Sequence, residues 1–559
     1  MWRCLFMERI WMKSWQKDIP TTLTFEHGKK PIHEYLRIRA RQMPEKTAII
    51  FYGREISYRE LDEATDRFAN YLRGQGVKKG DRVAIFMATC PQYVIAHFGI
   101  QKLGAIVCPC SPLFKEMELT YELNDAETEI LITWDILMPI AGNVIPRTKV
   151  RKVVVTNLND FVPAKPTMPL VDAMKIPRQN VPGTDDFMEI ITRGDKTPPM
   201  VDINMDQDIG LFQYTGGTTG LPKGSMLSFY AALFKTAAVC AIAGITRDTV
   251  SLVSMPVFHI AGMVAGMNSC IYAGATQILF TQFDVLATME ATQRYKADFW
   301  YSAVPMNVGI MTHPDSKNYD LSSLKLCLTS SFGITLTEEI SRRWADFTNG
   351  GILLEGAYGL SETHTSDTYV PRDKVKYGTM GIPGFDADFK IVDLSDRGKE
   401  MPVGESGEIV VKNPAVFKGY WRRPEGTNNT LIDGWVYTGD VGKFDQDGFL
   451  SLIGRAKEMI KVSGFSVYPE EVEFMLNQYP GVAQSAVIGI PDPKKMEVVK
   501  AFIVMQPGKT ATEEAIRIWA KQNMSAYKVP AHIEFRTSLP MLGTGKILRR
   551  ARKDEPAKT

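Results

Sequence analysis

Residues 214–224 read YTGGTTGLPKG, a stretch whose residue types and spacing suit the binding of an anion. Gly216, Gly217, Gly220 and Gly224 let the backbone bend until its N–H groups converge. Thr215, Thr218 and Thr219 add hydroxyl donors, and Lys223 adds positive charge. Such a loop wants a polyphosphate. It is not the kinase-type loop, in which Gly-Lys-Ser/Thr must follow the first glycine at a fixed distance: the residues at that distance from Gly216 and Gly217 are Leu221 and Pro222. A flexible surface turn would leave the Lys and the ordered Pro unexplained.

A loop of this kind must be aimed by regular elements, and helical and strand patterns alternate on both sides of it. Ser57 and Glu60 form a capping box, after which Leu61, Ala64, Phe68 and Leu72 keep one helical face apolar until Gly74. A strand is expected over 83–87, then an apolar helix opened by Pro91 and ending near Gly104, then a short strand over 105–108, together a βαβ unit. Further buried strands are expected at 130–132, 153–155, 252–254, 277–280 and 324–328. Residues 157–206, richer in Pro, Asp and Lys, read as loop leading into the phosphate segment.

After Asp440 the pattern changes, with turn signals at Asp447-Gly448 and Gly454. The remainder of the chain is a strand and helix segment of about a hundred residues, a size at which a domain stands alone. The expected architecture is α/β: a large N-terminal domain of βαβ subdomains over 1–456, and a small mobile α+β C-terminal domain over 457–559.

Composition excludes several classes of partner. At 559 residues the chain exceeds what one hydrophobic core supports, and 45% hydrophobic with 23% charged residues is an ordinary globular balance. Lys+Arg 65 against Asp+Glu 63 leaves a net charge of +2, too small a field to nominate nucleic acid. The 7 cysteines are odd in number, scattered and mostly within apolar runs, so they read as reduced core residues of a cytoplasmic protein. No membrane span is expected. Near the start, Trp2, Leu5, Phe6, Ile10, Trp11 and Trp15 fall near helical spacing with basic residues between them. An arm packed on the body is the favoured reading there, and a weak peripheral membrane contact is the other. A homodimer is open.

Further along, four segments resemble, in order, the signatures of the adenylate-forming superfamily, which includes acyl-CoA synthetases, insect luciferases and the adenylation domains of peptide synthetases; the threonine- and glycine-rich loop is the first signature of that set. GAYGLSETHT, from Gly356, resembles the Tyr-Gly-x-Thr-Glu motif with Ser361 in place of Thr. The resemblance implies that Tyr358 stacks on adenine, Ser361 bonds the α-phosphate and Glu362 holds Mg²⁺. GWVYTGDVG resembles the motif whose Asp, here Asp440, accepts from both ribose hydroxyls. GRAKEMIKVSGFSVYPEEVE, from Gly454, resembles the hinge region: Arg455 would contact ribose or phosphate, Lys457 would be the pivot, and Lys461, Ser463 and Gly464 would lie beside the pantetheine arm of coenzyme A. PMLGTGKILRR, from Pro540, resembles the C-terminal motif whose Lys, here Lys546, reaches into the other domain's active site.

The implied chemistry explains these residue types. A carboxylate attacks the α-phosphate of ATP, two anions meet, and Mg²⁺ on Glu362 together with Lys546 offsets the repulsion while the loop and Lys223 steady the departing pyrophosphate. Coenzyme A then displaces AMP after the small domain has rotated about the hinge. The segment MPVFHIAGM carries His259 and no acid, which disfavours an α-amino substrate and resembles fatty and aryl acid synthetases, where this His sits near the acyl carboxylate. Phe332, in LTSSFGITL, stands where that family commonly has Ala and would shorten the acyl pocket; Met263, Met267 and Met306 would line it or serve as plain core. Phe229 stands where synthetases commonly carry His. The leading expectation is an AMP-forming acyl-CoA synthetase acting on a fatty or other apolar carboxylic acid. The alternatives are an adenylating ligase that delivers to a carrier protein or another acceptor, and a regulatory nucleotide sensor.

Overall fold

A computed structural model describes residues 9–215, 221–331, 334–462, 465–492, 495–524 and 526–539. Two seven-stranded sheets organise the larger part. In the first, Ile352–Glu355, Leu326–Ser330, Phe299–Ala303, Val250–Val253, Thr276–Leu279 and Thr47–Phe51 run parallel, and Arg54–Ser57 closes the edge as an antiparallel hairpin. In the second, Asp185–Asp186, Lys152–Thr156, Ile130–Trp134, Arg82–Phe86, Ile106–Cys110 and Ile209–Thr215 run parallel, with Lys223–Ser228 returning antiparallel at the edge. Parallel strands need crossover helices on both faces, which is why these strands read as continuous apolar runs rather than alternating ones.

The expected helix after Ser57 spans Tyr58–Gly74, and both bonds of its capping box form. The helix opened by Pro91 covers Pro91–Gln101, with every residue buried. Strand positions hold to within a few residues of expectation. The segment 157–206 is more structured than a loop: it contains the strand Asp185–Asp186 and the helix Phe187–Arg193, whose N-cap Asp186 accepts from the Glu189 N–H. That helix buries only Phe187 and Ile191, too little apolar periodicity to stand out in sequence.

The N-terminal apolar residues do not form a long amphipathic helix within the described chain. Ile10–Ser14 is a single 3₁₀ turn. Trp11 stacks on Phe444 at 5.9 Å, and Trp15 meets Tyr369 and Phe385 edge-on at 5.4 and 5.2 Å. The described part of the arm is thus packed on the body, and Trp2, Leu5 and Phe6 lie outside the described residues. Six cysteines, Cys90, Cys108, Cys110, Cys240, Cys270 and Cys327, are buried and unbridged. No helix among the described residues is long and apolar enough to cross a membrane.

A five-stranded antiparallel sheet comes next, built from Asp388–Val392, Gly407–Lys412, Leu431–Ile432, Trp435–Phe444 and Leu450–Arg455. The 3₁₀ turn Ala456–Glu458 continues the chain, and beyond it another sheet is assembled only from later residues: Ile460–Val462, Phe465–Val467, Val482–Asp492, Met496–Met505 and His532–Phe535. Its own apolar cluster includes Ile460, Val467, Val472, Val499 and Ile516.

Candidate active site

The phosphate segment sits at the tip of an antiparallel pair. Strand Ile209–Thr215 enters it, strand Lys223–Ser228 leaves it, and Thr215 is in register with Lys223. Gly216, Gly217, Thr218, Thr219 and Gly220 lie outside the described residues. The base of the loop is fastened on both sides: Tyr214 donates to Asp125 at 2.9 Å, Tyr121 donates to the Pro222 carbonyl at 2.7 Å, and Arg423 pairs with Asp125 at 2.5 Å. Gly224 is glycine for a spatial reason, since a Cβ there would stand 3.1 Å from the Tyr214 ring. Neither Asp125 nor Arg423 carries a motif that sequence reading would single out.

Tyr358, Ser361 and Glu362 come after the carboxyl end of strand Ile352–Glu355, where ligands of parallel sheets bind. Ser361–Thr363 is a 3₁₀ turn with Glu362 buried. The Glu362 carboxylate accepts the Tyr420 hydroxyl at 2.6 Å, and its backbone carbonyl accepts the Phe417 N–H. Tyr420 arrives there because residues 418–421 extend the second sheet: Met226 and Gly419 bond, Lys418 donates to Met226, Trp421 donates to Gly224, and Ser225 bridges Tyr420. The Lys223 ammonium lies 5.0 Å from the Tyr420 ring centroid. Burial, then Glu362, raises the Tyr420 phenol far above its usual range, so it stays a donor. Tyr420 therefore joins two expected site residues, Glu362 and Lys223, and was not foreseen. Its only sequence signal is the Gly-Tyr-Trp run after a Lys.

Tyr358, Asp440 and Arg455 are brought together. The Tyr358 hydroxyl donates to one Asp440 oxygen at 2.8 Å and Arg455 pairs with the other at 2.8 Å. Asp440 and Arg455 are register partners on the strands Trp435–Phe444 and Leu450–Arg455. Asp440 is 4% exposed. Tyr358 is nearly buried, with its ring in an apolar cluster that includes Ala231 and Phe234.

His259 caps the short helix Ile260–Gly262, its Nδ1 accepting the Ala261 N–H at 3.4 Å. Gly262 allows that helix to lie on the preceding segment: a Cβ would meet the Pro256 carbonyl at 2.3 Å. The helix continues as a π turn, Met263–Asn268, before Ser269–Ala273; π turns recur at functional sites. Met263 and Met267 are fully buried in this turn. Met306 is half-buried, with its sulfur 3.8 Å from Ser254 Oγ. Phe229 packs in the core with Gly210 against its ring. Nearby, Glu355 is buried and accepts both the hydroxyl and the N–H of Ser331, and desolvation pushes its carboxyl up to about 7. Lys457 lies in the turn Ala456–Glu458 and Lys461 on strand Ile460–Val462, its N–H donating to Glu497 at 2.8 Å. Ser463, Gly464, Phe332 and Lys546 lie outside the described residues.

Among the described residues no three acidic, His or Cys side chains converge as a self-sufficient metal site. A single carboxylate oriented by Tyr420, beside a phosphate loop, is nevertheless the donor set Mg²⁺ uses with a nucleotide, because that ion keeps waters and takes one or two carboxylates plus substrate phosphates.

Comparison with known proteins shows the family. Residues 36–421 match the model of the AMP-binding enzyme family, and residues 471–546 match that of the AMP-binding enzyme C-terminal domain. A long-chain-fatty-acid–CoA ligase of Bacillus subtilis (strain 168) is 35% identical over 98% of both chains. A feruloyl-CoA synthase of an Amycolatopsis species is 33% identical over 91% of this chain and 96% of its own. Among solved structures, an anthranilate CoA ligase in complex with anthranoyl-AMP superimposes with a TM-score of 0.82 at 26% identity, covering 96% of this chain and 97% of that one.

Proposed function

The chain belongs to the AMP-binding enzyme family, and we propose that within it this protein is an AMP-forming ligase that joins a long-chain fatty acid to coenzyme A. The observation that carries the proposal is the meeting of Glu362, Tyr420 and Lys223 at the mouth of the phosphate loop, in a chain that matches a fatty-acid ligase from end to end.

In this reading ATP lies with its adenine against Tyr358, its ribose hydroxyls on Asp440 and Arg455, and its phosphates in the loop with Lys223. Ser361 donates to the α-phosphate. Glu362 would hold Mg²⁺, which would supply charge neutralisation to the site. Tyr420 keeps the Glu362 carboxylate aimed, and the buried surroundings exclude water that would screen the charges. His259 stands by the acyl carboxylate, with Met263, Met306 and Phe332 as pocket wall. Lys546 bridges carboxylate and α-phosphate during adenylation and is withdrawn when residues 457–559 turn about Lys457, which brings Lys461, Ser463 and Gly464 to the pantetheine arm.

An aryl acid is the second reading, favoured by the feruloyl-CoA synthase relative. The packed Trp11 and Trp15 favour an arm held on the body over an interfacial helix. Pyrophosphate release from ATP, measured with fatty acids of increasing length, ferulate, benzoate and amino acids, with and without coenzyme A, tests the proposal. The expected result is release with long-chain fatty acids and a thioester product that requires coenzyme A. Release only with ferulate or benzoate would favour the second reading, and release with no acid at all would overturn both.

A further inference from the structure

We propose that the buried ion pair Lys235–Asp367 is a positioning device for the nucleotide site, fixing the turn that presents Tyr358 and Glu362. This rests on the adenylation reading of that site. Lys235 lies mid-way along the apolar helix Phe229–Ala243, far from any motif, and its ammonium meets Asp367 at 2.6 Å with side-chain exposures of 2% and 0%. Desolvation lowers the pKa of Lys235 and raises that of Asp367. A buried pair of this kind gains little stability over apolar residues of similar volume, so stability alone is a poor reason for its presence.

The geometry supplies a better one. The same Lys235 ammonium donates to the Ser366 carbonyl at 3.0 Å, and Asp367 also accepts Asn413 Nδ2 at 2.7 Å and the Thr363 hydroxyl. Thr363 directly follows Glu362. The Asp367 N–H donates to the Tyr358 carbonyl at 2.8 Å, and the Tyr358 N–H donates to Thr368 Oγ1 at 2.9 Å, which closes residues 358–368 into a ring. The bonds that close that ring are made by Asp367 and its neighbour Thr368.

The ring is also held against its own preferences. His364, Thr365 and Ser366 are three successive non-glycine residues at φ of 58°, 58° and 49°, a conformation such residues resist unless their surroundings impose it. The backbone doubles back so tightly that a Cβ on Gly359 would stand 2.5 Å from the Ser366 nitrogen. The side chain of His364, within this run, is fully buried with neither ring nitrogen hydrogen-bonded. It gives the turn no anchor. Lys235, Asp367 and Asn413 hold the strained run from one side, while Tyr420 and Phe417 bond Glu362 from the other.

Two variants test this. Lys235→Met combined with Asp367→Asn removes both charges together, so neither is left buried alone. Thr363→Val removes the hydroxyl that bonds Asp367 and Leu360 without touching charge. AMP affinity, measured by calorimetry on variants shown by thermal denaturation to be folded, should weaken on the order of tenfold in the double variant and severalfold in Thr363→Val; misplacement by an ångström can cost a hundredfold in rate. The KM for ATP should rise and the KM for coenzyme A should stay, a split that general loosening of the fold would not produce. Should the double variant not fold, Thr363→Val alone decides. A folded Thr363→Val that binds AMP as tightly as the parent, or equal changes in both KM values, would overturn the proposal. Because AMP binding needs no acyl substrate, this outcome is separable from failure of the ligase reading.

Discussion

Two three-residue 3₁₀ turns, Ser361–Thr363 and Ala456–Glu458, have the same local geometry and opposite surroundings. The first buries Glu362 and Thr363, is bonded to Tyr420 and Asp367, and leads into three left-handed residues. The second has no buried residue and links two sheets that share no strand. Local backbone conformation therefore says little about how a turn is used. What differs is burial: a turn enclosed in the fold keeps a side chain in a fixed place, and an unburied one can absorb a change in φ and ψ.

The contrast between the two turns breaks most sharply at Glu362. Glu362→Gln keeps the shape and the acceptor for Tyr420 but removes the charge, and adenylation measured as pyrophosphate release should fall by about 10² to 10³, the range for losing one preorganised charge partner. A fall below tenfold would remove Glu362 from the reaction.

At the second turn the expected damage is selective. Lys457→Pro fixes φ and disfavours helical backbone at Ala456, so thioester formation should drop by about a hundredfold while pyrophosphate release stays within a few-fold of the parent. Full thioester turnover in this variant would place the pivot elsewhere.

Tyr420→Phe asks how much of the rigidity of the first turn comes from one hydroxyl. Loss of a hydrogen bond to a charged group costs about 1.5–3 kcal/mol where the group is left unpaired, and the retained ring limits the damage, so a fall in adenylation of about tenfold is expected. A larger rise in the KM for ATP than fall in kcat would assign Tyr420 to binding rather than to aiming Glu362.

The smallest effect is expected at Glu355, one strand end away from the first turn. Its folded pKa of about 7 lies above the unfolded value of 4.5, so the protonated carboxyl is the form the fold favours. The stabilisation is fully present below the unfolded pKa and is lost as pH rises through the folded one, at up to about 1.4 kcal/mol per pH unit in between. Glu355→Gln should flatten the decline in stability across that window in denaturant titrations at several pH values. An unchanged slope would mean the carboxyl ionises normally.

By itself the sequence determined the chemistry and most of the local elements. The Gly/Thr loop, the Tyr358 to Glu362 motif and the segment around Asp440 were legible as candidates because each is a run of adjacent residues whose types suit one kind of group. The capping box at Ser57 and the apolar helix from Pro91 were legible because helices and caps are made by neighbours in sequence. The short helix Phe187–Arg193 was not, having only two buried residues to announce it.

The tertiary structure alone decided what holds the site. Tyr420 reaches Glu362 across 58 residues because residues 418–421 pair with the strand Lys223–Ser228, and Lys235 reaches Asp367 across 132 because a helix packs under the turn. Such partners leave no periodic trace: one Lys in an apolar helix and one Asp after a Ser are ordinary until sheet order and helix packing bring them together in a buried place, where low dielectric makes their pairing obligatory.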